Sequence, residues 1–164
     1  MKTKIITWSL IIIGIFGLLW WGGKNQASLP AKGVERKSEL TAEEIFYDFG
    51  TISMAKGNVS KTFKVTNPTE KDITIRSITT SCMCTNAYVV ELDGKKEGPF
   101  GMPGHGAVPK VNKIIKTNES LDIEVVYDPN AHGPAGIGRI DRFVYLEDSE
   151  GGALNFEVKA NVTP

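Results

Sequence analysis

The strongest constraint on this chain lies at its beginning, where Ile5 to Trp21 reads IITWSLIIIGIFGLLWW, 17 residues without a charge. As a helix that run spans roughly 26 Å at ~1.5 Å per residue, close to the ~30 Å hydrocarbon core of a bilayer. Lys2, Lys4 and the α-amine precede it and Lys24 follows. Trp8, Trp20 and Trp21 stand near its ends, where indole rings favour the membrane interface. The charge bias predicts a single-pass anchor, N-terminus in the cytoplasm and the remainder of the chain on the far side. A cleaved signal peptide shares the basic start and apolar run but needs small residues at its cleavage site, and Trp20-Trp21-Gly22-Gly23 offers no such pattern. A buried core helix is a third reading, but a segment apolar on every face has no polar stripe to show water. Residues 1–23 are read as the anchor. Residues 24–42 mix charges with Pro30, Gly33 and small polar side chains without an apolar period, and are read as a flexible stalk. Residues 43–164 are read as the domain.

A chain of 164 residues with 41% hydrophobic content supports one packed core. Lys plus Arg and Asp plus Glu are both 19, without a long run of either sign, so no broad field exists to attract nucleic acid. Two cysteines, Cys82 and Cys84, are too few for a disulfide framework, and the fold must stand on its hydrophobic core. Segments rich in β-branched and aromatic residues recur between turn residues: 45–49, 59–66, 72–79, 121–127, 139–146 and 154–162, with weaker candidates at 87–92 and 111–116. Alternation in Thr62-Phe63-Lys64-Val65, Ile73-Thr74-Ile75-Arg76 and Phe156-Glu157-Val158-Lys159 gives each strand a core face and a water face. Turns are expected at Asn67-Pro68-Thr69, at Asp128-Pro129-Asn130 and at Gly151-Gly152. Seven or so such strands without a long amphipathic helix predict an all-β, antiparallel two-sheet sandwich of immunoglobulin-like type.

The order Tyr47-Asp48-Phe49-Gly50-Thr51-Ile52, then Lys61-Thr62-Phe63-Lys64-Val65-Thr66-Asn67, then Ser81-Cys82-Met83-Cys84-Thr85, then Leu121 to Asp128, resembles the bacterial DUF1573 family, related in architecture to the ASPM-SPD-2-Hydin domains. The resemblance covers roughly Ile45 to Val162, and the SC-x-CT block is its most specific part. It implies an Ig-like sandwich on an exported protein of the bacterial cell envelope and no settled activity. The chain departs from the family at Met83, where glycine is usual. It departs again at the turn Thr117-Asn118-Glu119-Ser120, which stands in place of a short Pro-Gly turn and follows a long insertion.

Chemistry concentrates at the cysteines. If their segment stays extended, Cys82 and Cys84 project from one face a few ångströms apart, and thiolates with the Met83 thioether are soft ligands suited to copper(I) or, for the thiolates, zinc. Two sulfurs make an incomplete shell. The insertion 94–106, GKKEGPFGMPGHG, reads as too rich in glycine and proline for regular structure, and it carries Met102 and His105. His132 lies in the Gly- and Pro-rich stretch 130–138. Loops at one end of a sandwich cluster, so Cys82, Cys84, Met102, His105 and His132 form the candidate metal set. Two other readings compete: the cysteines fill the core as small apolar residues, or they form a strained, reactive disulfide outside the cytosol. No serine-hydrolase elbow, dinucleotide loop or paired carboxylates are present. The expected function is a binding or assembly module without catalytic activity, tethered to the membrane and presenting loops or an edge strand to a protein of the envelope. Copper(I) binding and thiol–disulfide exchange are the alternatives.

Overall fold

A computed structural model describes residues 36–105 and 109–164. The anchor expected at 1–23 and most of the stalk lie outside these residues. Among the described residues no helix is long and apolar enough to cross a membrane.

Eleven strands occur among the described residues: β1 Arg36–Lys37, β2 Thr41–Ala42, β3 Phe46–Ser53, β4 Val59–Thr66, β5 Ile73–Thr80, β6 Thr85–Val90, β7 Lys96–Phe100, β8 Lys113–Ile115, β9 Ser120–Tyr127, β10 Gly138–Asp148 and β11 Gly152–Thr163. They form two sheets. One has the order β1-β11-β10-β5-β8, with β3 also on β11; the other has the order β2-β4-β9-β6-β7. This is the expected all-β sandwich, with β10 and β11 joined at Gly151, whose φ of 78° suits the tight turn.

Alternation dictates the core. Phe63 and Val65 of β4, Ile123 and Val125 of β9, Val144 and Leu146 of β10, and Phe156 and Val158 of β11 are all buried between the sheets. The Phe63 and Phe156 rings stack across the gap with centroids 4.5 Å apart. In β5 the inward set runs Ile73, Ile75, then Ile78 and Thr80. The parity changes because the register against β10 slips where Ser77 faces Glu147 and Ile75 faces Asp148, leaving Arg76 as the extra residue of a bulge.

In the strands the structure departs from the sequence reading at three places. Residues 36–42, assigned to the stalk, are folded: β1 pairs with β11, β2 pairs with β4, and Leu40 is buried in the core. Ser38 Oγ donates to Asp148 Oδ2 at 2.5 Å, while Asp148 Oδ1 accepts the Glu150 and Gly152 amides. Mixed composition concealed this, because one buried leucine and one buried serine are enough to fasten a short edge segment. Secondly, the sheets are not wholly antiparallel. β1 and β3 run parallel to β11, since the N-terminal segment covers the open edge of the last strand. Finally, the insertion is partly regular. β7 pairs with β6 and buries Phe100, and a Cβ on Gly98 would come within 2.9 Å of the Ala87 carbonyl and the Tyr88 ring. Glycine here permits close approach of two strands.

Candidate metal centre

The cysteines sit on a turn, not on an extended strand. Thr85 N–H donates to the Cys82 carbonyl at 3.1 Å, closing Cys82-Met83-Cys84-Thr85, and β6 starts at Thr85. Three anchors hold the turn. The Thr80 hydroxyl donates to the Cys82 and Thr85 carbonyls. Ser81 joins β10 at both ends, its amide donating to the Phe143 carbonyl and its hydroxyl accepting the Phe143 amide, each at 2.9 Å. The Cys84 carbonyl accepts the Asp128 amide at 2.9 Å, which ties the turn to the end of β9.

That last bond determines which loop approaches. After β9 the chain turns at Asp128-Pro129-Asn130: Asp128 Oδ1 accepts the Asn130 amide, and Asn130 Nδ2 reaches across to the Met54 carbonyl. His132 follows, directly before the 3-10 turn Gly133–Gly136. Its Nε2 lies 3.1 Å from Cys82 Sγ. One ligand atom from each of Cys82, Cys84 and His132 lies within 4.8 Å of the other two. Cys84 is fully buried, Cys82 half-buried and His132 exposed, so the cluster opens to solvent on its histidine side. The five-residue set predicted from sequence is thus divided. Cys82, Cys84 and His132 are brought together. The root of the insertion reaches the same end, where the Thr80 amide donates to the Gly101 carbonyl at 3.2 Å, but His105 is exposed and is not part of the cluster. Met102 is half-buried beside Gly101, and its carbonyl accepts the His105 amide.

Two residues that sequence reasoning missed complete the surroundings. Arg142 Nε donates to Cys84 Sγ at 3.1 Å, and its Nη1 donates to the Asp141 carbonyl. Tyr127 is buried in the same small apolar cluster as Cys84, together with Ile140, Ala160 and Val162. A signal for Arg142 existed. In β10 the inward row runs Ile140, Arg142, Val144, Leu146, and a charge in an otherwise apolar row needs a buried partner.

These contacts pull the two thiols apart. Burial pushes Cys82 up, but hydrogen bonds from the Cys84 thiol and backbone amide, the His132 contact and the positive Arg142 together bring it down to about 7. Burial pushes the Cys84 thiol up, reinforced by the proton it shares with Cys82, and the Arg142 hydrogen bond opposes this without overcoming it. Burial opposes the charge on Arg142, but the Cys84 hydrogen bond together with the negative Cys84, Cys82 and Tyr127 groups nearby holds it in its charged form, and burial raises Tyr127. Of the two thiols, Cys82, the more exposed sulfur, therefore ionises first.

The segment that carries the turn also carries the family match. Residues 40–96 match the DUF1573 family, described as a protein of unknown function. The DUF1573 match covers β4, β5 and the cysteine turn, where the sequence resemblance was most specific. A crystal structure of a protein of unknown function from Porphyromonas gingivalis W83 superposes with a TM-score of 0.55 at 14% identity, over 82% of this chain and 51% of that one. The chain thus spans about half the length of that protein, and the likeness shows the sandwich fold. The ASH/PapD-like domain of human CEP192 gives a TM-score of 0.47 at 12% identity, over 77% of this chain and 87% of that one. The YadV chaperone gives 0.44 at 9% identity, over 77% and 52%. No curated protein matches the chain.

Proposed function

We propose that this chain is a non-catalytic binding module of the bacterial cell envelope, tethered by residues 5–21 with its sandwich outside the cytoplasm, and that the sandwich tip binds one soft metal ion through Cys82, Cys84 and His132. The observation that carries the reading is the convergence of two sulfurs and an imidazole nitrogen within 4.8 Å. Thiolate and imidazole donors suit copper(I) and zinc. Three protein ligands are one short of a closed tetrahedral zinc site, and copper(I) accepts lower coordination, which makes it the candidate ion. Met102 and His105 stand outside this shell as candidates for delivering the ion from the neighbouring loop.

The test is an anaerobic titration of the reduced chain with copper(I) against a competing chelator. One equivalent should bind, and Cys82→Ser/Cys84→Ser and His132→Ala should weaken or abolish it. A wild-type protein that takes no copper from the chelator would remove this function.

A second reading, thiol–disulfide exchange, is favoured by the low pKa of Cys82 and its contact with His132. There Cys82 thiolate attacks a disulfide, forming a mixed disulfide and releasing one thiolate. Cys84 then displaces the second thiolate as it bonds to Cys82, so the substrate gains the two electrons the dithiol loses. Rapid reduction of a small disulfide, lost in Cys82→Ser, would put this reading first.

A further inference from the structure

A cation in hydrogen-bond contact with a metal-ligand sulfur is the least expected feature of the tip. Arg142 projects inward from β10 between Ile140 and Val144, and its Nε donates to Cys84 Sγ at 3.1 Å. Cys84 is 0% exposed and Arg142 is partly buried, so water and salt reach the sulfur only weakly through the guanidinium side. We propose that Arg142 is the specificity-determining residue of the site, setting it to accept a monovalent soft cation and to reject a divalent one. The inference rests on the metal-binding reading above.

The physical reason is charge balance in a poorly solvated place. Metal binding requires both sulfurs as thiolates and the imidazole neutral. Two thiolates and one guanidinium leave one net negative charge. A monovalent ion neutralises the centre, whereas a divalent ion leaves one uncompensated positive charge beside a fully buried sulfur, which is unfavourable in a low dielectric. Asp128, a carboxylate at this end of the sandwich, uses its Oδ1 to accept the Asn130 amide. Arg142 also has a directional effect. Its N–H occupies one lone pair of Cys84, which holds that sulfur as a terminal ligand and disfavours a bridge to a second ion.

Arginine suits this role better than lysine, because the planar guanidinium stays charged and bonds the sulfur and the Asp141 carbonyl from fixed positions. The competing account is that Arg142 merely props up the cysteine turn. Under that account its loss would weaken every metal equally.

The experiment uses the full chain in detergent, reduced and anaerobic. Copper(I) and zinc affinities are each measured against a competing chelator for wild type, Arg142→Gln, Arg142→Met and Arg142→Lys, with circular dichroism reporting the fold. The expected result is a fall of about tenfold or more in the copper-to-zinc affinity ratio for the two neutral variants, zinc binding itself becoming tighter, and a ratio within about threefold of wild type for Arg142→Lys. An unchanged ratio in a folded neutral variant overturns the assignment while leaving the metal site intact. If neither neutral variant folds, Arg142→Lys decides: a ratio that falls as the charge is retained overturns it equally. Failure of the wild type to bind either ion overturns the site itself, so the two failures are distinguishable.

Discussion

The two hydrophobic clusters of the sandwich are built from different kinds of side chains. The larger is packed with Phe63, Phe156, Ile75, Ile123 and their neighbours, nearly inaccessible hydrocarbon, with buried polar groups such as Asn67, Ser38 and Asp148 kept to backbone and hydroxyl partners at its margin. The cysteine end has the same backbone architecture, with a small cluster of Cys84, Tyr127, Ile140, Ala160 and Val162 and an arginine inserted into the inward row. Valine in place of Cys84 and leucine in place of Arg142 would fill such a place without desolvating a charge. Where a fold keeps soft and charged atoms in a position that hydrocarbon would fill at lower cost, chemistry is the simplest account of them.

The comparison implies that the larger cluster should govern stability and the cysteine end should govern binding. The largest effect is expected from Phe156→Ala, which empties half of the stacked pair and should cost about 3–5 kcal/mol in chemical denaturation, with copper(I) affinity retained in the folded fraction. Loss of copper binding in that variant while it remains folded would break the separation. Next comes Asp148→Ala, which leaves the Ser38 hydroxyl and the Glu150 and Gly152 amides without their acceptor. It should cost about 1–3 kcal/mol and expose residues 36–42 to proteolysis. Intact protection of that segment would show that Leu40 alone holds it. A smaller effect is expected from Cys82→Ala, within about 0.5 kcal/mol of wild type, although it should abolish the binding site.

The subtlest test is the pH profile of Cys82 alkylation, followed by mass spectrometry. The folded pKa is depressed to about 7 from 9.0, so the thiolate contribution to stability is present above pH 9.0 and is lost as pH falls through about 7. The alkylation rate should be half-maximal near pH 7, with Cys84 still protonated and unreactive there. Cys84→Ala removes the thiol that hydrogen-bonds Cys82 and should move the midpoint upward. A midpoint that stays near that of an ordinary thiol would mean the two cysteines are simply small core residues.

Much of the fold was legible because strand periodicity is local. Val59–Thr66 was found to the residue, and Asn118, with φ of 61° in the turn before β9, sits where the sequence placed a tight reversal. β7 was missed because its burial comes down to Phe100, and its glycine and proline resemble a loop until the partner strand is present. At the site, the sequence supplied Cys82, Cys84 and His132 as chemical candidates and could not rank His132 above His105. Both occur in Gly- and Pro-rich stretches, and the Asp128 to Cys84 hydrogen bond that brings one of them in joins residues 44 positions apart.

By itself the sequence determined what depends on neighbours along the chain: the apolar run 5–21, the sandwich class, the alternating core faces and the residue types able to hold a soft ion. Only the tertiary structure decided which of those residues meet, because the meeting requires strands distant in sequence to be in register. The same register turned one charge in an apolar row, Arg142, into the immediate neighbour of Cys84.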